Sequence, residues 1–495
     1  MCRDTIKPID LPSPGTTYQK NLVKGCYNLY TGIMTKRWLP HLDDRSIPTY
    51  MAVLEALRTD IVAGRLLPGD RLPTHRDLAG RLGVAVGTVT RAYQEAERQG
   101  LIFGDGRRGT FVGNPPADRD RQPGGPTERA YLIDLSRFFP PAGSDPDLGA
   151  ALSALAQRRD IQHLMRYTRA DGYDYHRAAG ARWLGGLGLK ATPDDLVITS
   201  GAQHAIFSVL LAAGKRGDVI ATDLHTYPGI RFAAEHLGLE VVGIEGDDDG
   251  MDPDALASCC AGRSVRFLYL VPTYQNPTNT VLSESRRHAI AGIAEKYGVD
   301  IIEDEINRKL LPDPPPLIKS IVPERCYLIA TLAKLVAGGL RICYVAPPGE
   351  RRDELLAALH TTALMVSPLL GEIAAVWIND GTADRVIAEK RHELERRNKA
   401  AAAILRDFDF RGWPTSYFIW LRLPAAWRLA RFQTEAEQAR IIVAPSTCFA
   451  IDKNRQANAV RLCLGGLLDI DTLKASLTSL VDVLRGQGSP ESVVL

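Results

Sequence analysis

The sequence predicts an α/β protein in two parts, a small helical head closed by a hairpin and a large body built on a mainly parallel sheet. Three observations lead there. Residues 47–112 carry an apolar stripe at helical spacing, punctuated by capping and turn residues. Residues 113–131, GNPPADRDRQPGGPTERAY, are rich in Pro, Gly and charge and nearly empty of large apolar side chains, which is the composition of a linker. From residue 132 to 487, short apolar strands alternate with helical stretches, a pattern that implies a mainly parallel sheet covered on both faces.

Composition bounds the answer further. A chain of 495 residues is long enough for two to four domains of roughly 100–200 residues each. With 45% hydrophobic and 24% charged residues it has the balance of a soluble globular protein. The formal net charge of +2 is too small to argue for or against nucleic acid, so a basic surface would have to be local. None of the 8 cysteines forms a C-x-x-C pair and no His cluster accompanies them, so no metal site is expected. Several lie in apolar runs as reduced core thiols do, pointing to a cytoplasmic protein. No run approaches the roughly 18 apolar residues of a membrane span, and the N-terminus lacks a secretory pattern, so no membrane partner is expected. Residues 1–46 form a polar lead. Its first 33 residues carry no clear period, and Met34 opens a more natural start, so the lead is expected to be disordered or an overcalled gene start. Residues 488–495 are a short tail.

In the head, Tyr50, Val53, Leu54, Leu57 and Ile61 form the stripe of a first helix, ended by Gly64 and the turn Leu67-Pro68-Gly69. Thr74 stands three residues before Asp77, a capping pattern that opens a second helix through Leu78 and Leu82, which Gly83 breaks. A third helix starts near Val86 with Val89, Ala92, Tyr93 and Ala96 inward. Two short strands, Leu101–Phe103 and Thr110–Val112, flank the segment Gly104–Gly109. Three helices and a Gly/Arg-tipped hairpin make a winged helix-turn-helix, whose second helix of the pair reads the major groove of double-stranded DNA through its first residues. Those positions are Val86, Gly87, Thr88 and Thr90, with Arg91 a turn further. Arg71, Thr74 and Arg76 flank the start of the preceding helix, where phosphate contacts set register. Arg107 and Arg108 at the hairpin tip are placed to enter a minor groove. The unit holds nine Arg, no Lys and seven acidic residues, so its basic bias is mild.

In the body, several residues fit the demands of pyridoxal 5'-phosphate: an amine for its aldehyde, a carboxylate for its pyridine nitrogen, and a helix N-terminus with a cation for its phosphate. Lys334 follows the apolar strand Tyr327–Ala330, and Gly-Leu-Arg seven residues on returns Arg341 to the same place. Asp304 ends the strand Val299–Glu303, at the edge that faces a ligand crevice. Glu303 and Glu305 flank it, and strand register decides which of the three points inward. Thr199-Ser200-Gly201-Ala202-Gln203 joins a strand to a helix and leaves the Ala202 and Gln203 N–H groups open to an oxyanion. Asn276 follows the strand Phe267–Val271, where its amide can reach a ring oxygen. Tyr227 is placed to stack on a ring, and Arg461 sits on a short apolar strand that only a carboxylate partner would justify.

The head, in GRLLPGDRLPTHRDLA (64–79), LGV (82–84), TVTRAY (88–93) and GTFV (109–112), closely resembles the GntR regulators, although many of those carry Arg where this chain has Val86. The body resembles fold-type I aminotransferases. That resemblance implies Lys334 as the Schiff-base lysine, Asp304 as the pyridine partner, Asn276 on the ring oxygen and Tyr227 as the stacking aromatic. It further implies Ala202, Gln203 and Arg341 at the phosphate, Arg461 on a substrate or effector carboxylate, and Tyr167 reaching the partner subunit's phosphate. The combined layout, an N-terminal winged helix-turn-helix linked to a PLP-dependent transferase fold-type I domain, resembles the MocR regulators and implies a homodimer. Two positions depart from the pattern. Ile306 and Asn307 stand where relatives place a Tyr that bonds the ring oxygen, and Asn279 stands where they place Gly; both weaken an enzyme reading more than a binding one. The function implied is a DNA-binding transcription regulator that senses an amino acid or related amine by aldimine exchange at Lys334. The alternatives are an active aminotransferase tethered by its head, and a body that has lost the cofactor and serves only to dimerise.

Overall fold

The computed structural model describes residues 38–40, 48–62, 66, 70–98, 101–105, 109–112, 132–141, 143, 145–466 and 469–486. Most of the expected lead, the hairpin tip with Arg107 and Arg108, the linker 113–131 and the tail 488–495 lie outside them. The chain divides into two compact units after residue 131.

In the first unit, α1 (Thr49–Val62), α2 (His75–Leu82) and α3 (Val86–Arg98) precede an antiparallel pair, β1 (Ile102–Asp105) and β2 (Gly109–Val112). The apolar stripe explains the packing: Val53, Leu54 and Leu57 are buried with Leu78, Ala79, Val89, Ala92, Tyr93 and Ala96 in one core. Helix α2 begins where the Thr74 hydroxyl accepts the Asp77 backbone N–H at 3.2 Å. It ends at Gly83, whose φ of +66° closes the last turn with its N–H on the Ala79 carbonyl. A side chain is disfavoured in that left-handed conformation, so glycine there sets the sharp turn into α3.

The second unit is built on a seven-stranded sheet: β3 (Val197–Thr199), β4 (Val219–Asp223), β5 (Glu240–Ile244), β6 (Val265–Leu270), β7 (Asp300–Asp304), β8 (Cys326–Thr331) and β9 (Cys343–Ala346). Their order is β3-β9-β8-β7-β6-β4-β5. Only β9 runs antiparallel to its neighbours; β8, β7, β6, β4 and β5 pair in parallel. Every residue of β7, β8 and β9 is buried, which is why β8 and β9 read as continuous apolar runs rather than alternating ones, whereas β7 buries Asp300, Glu303 and Asp304 as well. Separate apolar clusters pack against the sheet, one with Ala205, Ile206, Val209 and Leu210 of the helix Ala202–Ala213, another with Ile290, Ala291 and Ala294 of the helix Glu284–Tyr297. A smaller antiparallel sheet follows, with β10 (Phe410–Arg411), β11 (Phe418–Arg422), β12 (Ala444–Pro445) and β13 (Ala459–Cys463) in the order β10-β11-β13-β12. The first residues of the body join this lobe, because Ile133–Asp134 pairs in parallel with Ile441–Ile442. Strand β7 lies one residue beyond the expected Val299–Glu303, so Asp304 is its last residue rather than the first after it.

Among the described residues, no helix is long and apolar enough to cross a membrane, no His/Cys/Asp/Glu group could hold a metal ion, and all six cysteines are free thiols. Cys260, Cys326, Cys343 and Cys463 are buried, whereas Cys448 is exposed.

Helix packing in the body is tight enough to be tested by single methyl groups. A Cβ at Gly180 would stand 2.4 Å from the ring of Tyr344, which is fully buried, whereas a Cβ at Gly292, inside the helix Glu284–Tyr297, would meet nothing within 4 Å. Gly180→Ala should therefore destabilise the body by about 1–3 kcal/mol through overpacking. Gly292→Ala should be neutral or stabilise by up to about 1 kcal/mol through helix propensity. Thermal unfolding of the full chain followed by circular dichroism checks both signs.

Candidate functional site

A parallel sheet brings the ends of its strands to one edge, and the loops that leave there gather into a single crevice. Here β3 runs into Ser200-Gly201 and the helix Ala202–Ala213, β4 leads to Tyr227, β6 to Asn276, and β8 to Lys334. Asp304 is the terminal residue of β7, beside β8. Because β9 is antiparallel, it starts at that same edge, and Arg341 stands two residues before it. One reversed strand therefore adds a cation to a crevice otherwise assembled by parallel ones.

Strand register settles which carboxylate faces the crevice, since successive side chains alternate between the two faces. Glu303 accepts the Ile318 and Lys319 backbone N–H groups at 2.8 Å each, and Glu305 accepts Arg287 Nη1 at 2.9 Å. Asp304 turns the other way. Its Oδ2 accepts the Tyr269 hydroxyl at 2.8 Å, while Oδ1 is buried with no hydrogen-bond partner among the described residues. Burial pushes its pKa up to about 7; the Tyr269 hydrogen bond opposes the rise and the Glu305 charge adds to it. A buried carboxylate oxygen without a donor is costly, and a protonated ring nitrogen is a donor that would satisfy it. The residues thus fit a pyridoxal ring.

Lys334 Nζ donates to the Phe138 carbonyl at 2.6 Å and lies 4.5 Å from the centre of the Phe138 ring. Burial lowers its pKa to about 8, with Arg461 and Arg341 lowering it further against the opposing Cys463 thiol. At the start of the helix Ala202–Ala213, Gly201 takes a φ of +89°, and a Cβ there would come 2.4 Å from Arg341 Nη2, so glycine is what admits the guanidinium over the helix start. Arg341 itself is in a left-handed conformation with φ +50° and reaches the Ser200 carbonyl at 3.4 Å. Gln203 donates to the Gly229 carbonyl at 3.0 Å while its Oε1 is buried and unpartnered. The Tyr227 hydroxyl is raised by burial, then by Asp304, with Arg341 opposing, which places the ring within the field of both charged groups.

On the opposite wall, Arg461 is buried on β13 among three aromatic rings, those of Phe449 at 4.7 Å, Phe418 at 5.6 Å and Phe138 at 5.9 Å. It donates to the Asn276 amide oxygen and, at 2.7 Å, to the Ser136 carbonyl. With that oxygen engaged, Asn276 is left with its amide N–H groups to offer. Asn307 is fully buried and donates to the Tyr274 carbonyl at 3.2 Å, its own Oδ1 unpartnered. Asn279 adopts φ +60°, in the left-handed region, and its side chain is held by the Phe418 carbonyl and the Ser416 hydroxyl at 2.8 Å each. Asparagine tolerates that region better than most residues with a Cβ. Tyr167 is 82% exposed on this chain and takes no part in the crevice. Tyr269, Phe138 and Ser136 had not stood out in the sequence. The first is one Tyr in an apolar strand, and the other two act through a ring and a carbonyl, groups that carry no motif.

In the head, Arg71, Thr74, His75, Arg76, Gly109 and Thr110 line an open cleft of about 410 Å³. Arg76 is exposed at the first turn of α2, and Arg71 lies against the start of β2, where a Cβ on Gly109 would stand 3.0 Å from its Nε. Gly87 is exposed with nothing within 4 Å of a would-be Cβ, so its backbone is open to close approach. Thr88 is half-buried. The Thr90 hydroxyl is occupied within the head, donating to the Val86 carbonyl at 3.0 Å and sharing a hydrogen bond with His75 Nδ1 at 3.2 Å. Arg91 lies 4.2 Å over the Tyr50 ring.

Comparison with known proteins covers both units. Residues 49–112 match the family model of bacterial regulatory proteins, gntR family, and residues 133–480 match that of aminotransferase class I and II. The chain is 31% identical over 445 residues to the HTH-type transcriptional regulator YdeF of Bacillus subtilis, across 89% of this chain and 95% of that one. The vitamin B6 salvage pathway transcriptional repressor PtsJ of Salmonella typhimurium is 27% identical over 360 residues, across 72% and 81%. Among solved structures, an archaeal alanine:glyoxylate aminotransferase superposes with a TM-score of 0.67 at 25% identity, covering 72% of this chain and 91% of that one. With a GntR helix-turn-helix head followed by a fold-type I aminotransferase domain on a mixed seven-stranded sheet, the chain belongs to the MocR-type GntR transcription regulators.

Proposed function

We propose that this regulator holds pyridoxal 5'-phosphate in its body and responds to an amino acid or related amine that takes the place of Lys334 on it. The observation that carries the reading is the Asp304 Oδ1 atom, buried and without a donor at the crevice edge beside the strand that leads to Lys334. When bound, the cofactor supplies an aldehyde that one primary amine can give up to another. Asp304 would keep its ring nitrogen protonated, and Tyr269 holds Asp304 in place. The Ala202 and Gln203 N–H groups and Arg341 would take the phosphate, Tyr227 would cover one ring face, and Asn276 would donate to the ring oxygen. Arg461 would receive the carboxylate of the incoming amine, its aromatic surround keeping water from the pair. A ligand shifts a regulator only if it touches two states differently, and the exchange at Lys334 is such a difference.

The head would bind double-stranded DNA with the first turn of α3 at the base edges and with Arg71, Thr74 and Arg76 on phosphates. Gly87 and Thr88 are open to the groove; Thr90 and Arg91 would have to give up contacts within the head to reach it. Arg107 and Arg108 are kept as wing contacts. A cytoplasmic homodimer suits the body, where Met165 and Tyr167 are 80% and 82% exposed on the single chain. An enzymatic reading is favoured by one observation, the depressed Lys334, because an amine neutral near pH 8 can also carry protons. Sustained formation of keto acid would select it.

Three outcomes are expected. Purified protein given the cofactor should show a visible absorption band that borohydride makes permanent, and Lys334→Ala should lose both; a band that persists in the variant would remove Lys334 from its role. The neutral amine is the form that attacks an aldehyde, and burial sets Lys334 near pH 8. The rate at which the band appears should therefore rise with pH and level off above about 8, instead of climbing towards about 10.4 as for an ordinary lysine; stopped-flow absorbance measures it. Arg76→Ala should weaken binding to all DNA sequences alike and reduce the salt slope by about 1, measured by fluorescence anisotropy across a salt series.

A further inference from the structure

The residues that cover the crevice from the small lobe come from the first stretch of the body, the one that directly follows residues 113–131 in sequence. Ile133 N–H donates to the Arg440 carbonyl and Leu135 N–H to the Ile442 carbonyl, at 2.8 and 2.9 Å, so the stretch is anchored at its start. The Leu135 carbonyl accepts the Cys463 N–H at 2.7 Å. Beyond that point the backbone turns to the two cations of the site. The Ser136 carbonyl holds Arg461 at 2.7 Å and the Phe138 carbonyl holds Lys334 at 2.6 Å. The Phe138 ring packs at 5.3 Å on both Tyr417 and Phe418, and the Phe139 carbonyl lies where a Cβ on Gly465 would be 2.2 Å away. Arg137, between the two carbonyls, is exposed and paired with Asp134 at 3.0 Å.

We propose that Ser136 and Phe138 are the positioning residues of the effector site: their carbonyls hold Arg461 and Lys334, and each loses its partner when that side chain engages ligand, which frees the stretch 136–139. The proposal rests on the cofactor reading above. Lys334 Nζ, once joined to an aldehyde carbon with the carbonyl oxygen leaving as water, keeps at most one of its three protons, and the new bond dictates where that proton points. It can no longer serve the Phe138 carbonyl as an ammonium does. Arg461, once paired with a carboxylate, has fewer N–H groups for the Ser136 carbonyl. The two losses are sequential: cofactor binding takes Lys334 from the Phe138 carbonyl, and the incoming amine, which gives Lys334 back, takes Arg461 from the Ser136 carbonyl, so each step removes one hydrogen bond to a charged group from the same short piece of chain. Residues 132–135, held by backbone hydrogen bonds to Arg440, Ile442 and Cys463, stand between that piece and residues 113–131 in sequence.

Hydrogen–deuterium exchange of the full chain tests this, read on the peptide spanning residues 133–139 with and without pyridoxal phosphate, the visible band recording binding in the same samples. Exchange of that peptide should speed up roughly tenfold when the band forms, the order expected for losing one hydrogen bond to a charged group. Pyridoxamine phosphate, which carries the same ring and phosphate but no aldehyde, should leave it unchanged. Arg461→Gln should loosen the peptide before any addition. If the band forms and exchange stays as it was, the proposal fails while the cofactor reading stands; if no band forms, both fail. Equal loosening by pyridoxamine phosphate would also overturn it, because the signal would then come from filling the crevice rather than from Lys334.

Discussion

The hydroxyl of Tyr269 on the buried carboxylate of Asp304 is the contact around which the body is arranged. A carboxylate taken out of water needs donors, and at the end of β7 the protein supplies one and leaves the other oxygen waiting. That is tolerable only because burial raises the group towards neutrality when nothing is bound. It also requires that the acidic neighbours on either side be disposed of elsewhere. Glu303 and Glu305 turn to the opposite face and meet Arg287, so three adjacent acids are split by the pleat into one site group and two structural ones. A slip of one residue in register would exchange those roles.

Cations are supplied to the crevice by topology as much as by identity. Lys334 arrives from a parallel strand, Arg341 from the start of the reversed one, and Arg461 from a separate small sheet. Arg341 and Arg461 each depend on a local concession. Gly201 clears room for Arg341, and the aromatic box of Phe138, Phe418 and Phe449 shelters Arg461. Asn279 shows the same economy: a side chain occupies a left-handed turn and repays the strain with hydrogen bonds to β11 and to Ser416, just before it.

The head is organised on a different principle. What positions its helices is a small apolar core plus a cap and a glycine turn. Several groups expected on DNA are partly committed inside the head, Thr90 to Val86 and His75, Arg91 to the Tyr50 ring. Such contacts orient α3 within the head. In the body, the comparable commitments are those of Lys334 and Arg461 to the backbone of the stretch that leads in from the linker.

Much of this was legible in the residues alone. Helical periodicity, the Thr74 cap, Gly83 and alternating strands are local patterns, set by the steric and hydrogen-bonding preferences of neighbours, and they gave the head, its helix ends and a parallel sheet. The spacing from Lys334 to Arg341, and the position of Asp304 at a strand end, were likewise local. What sequence left open was which of three consecutive acids faces the crevice, because pleat direction depends on what packs on each side. Nor could it single out Tyr269, Ser136 or Phe138, since a hydroxyl within an apolar strand and a main-chain carbonyl acquire their roles only from partners far along the chain. Those partners are chosen when the sheet closes and the small lobe folds over it, and only the tertiary structure brings them together.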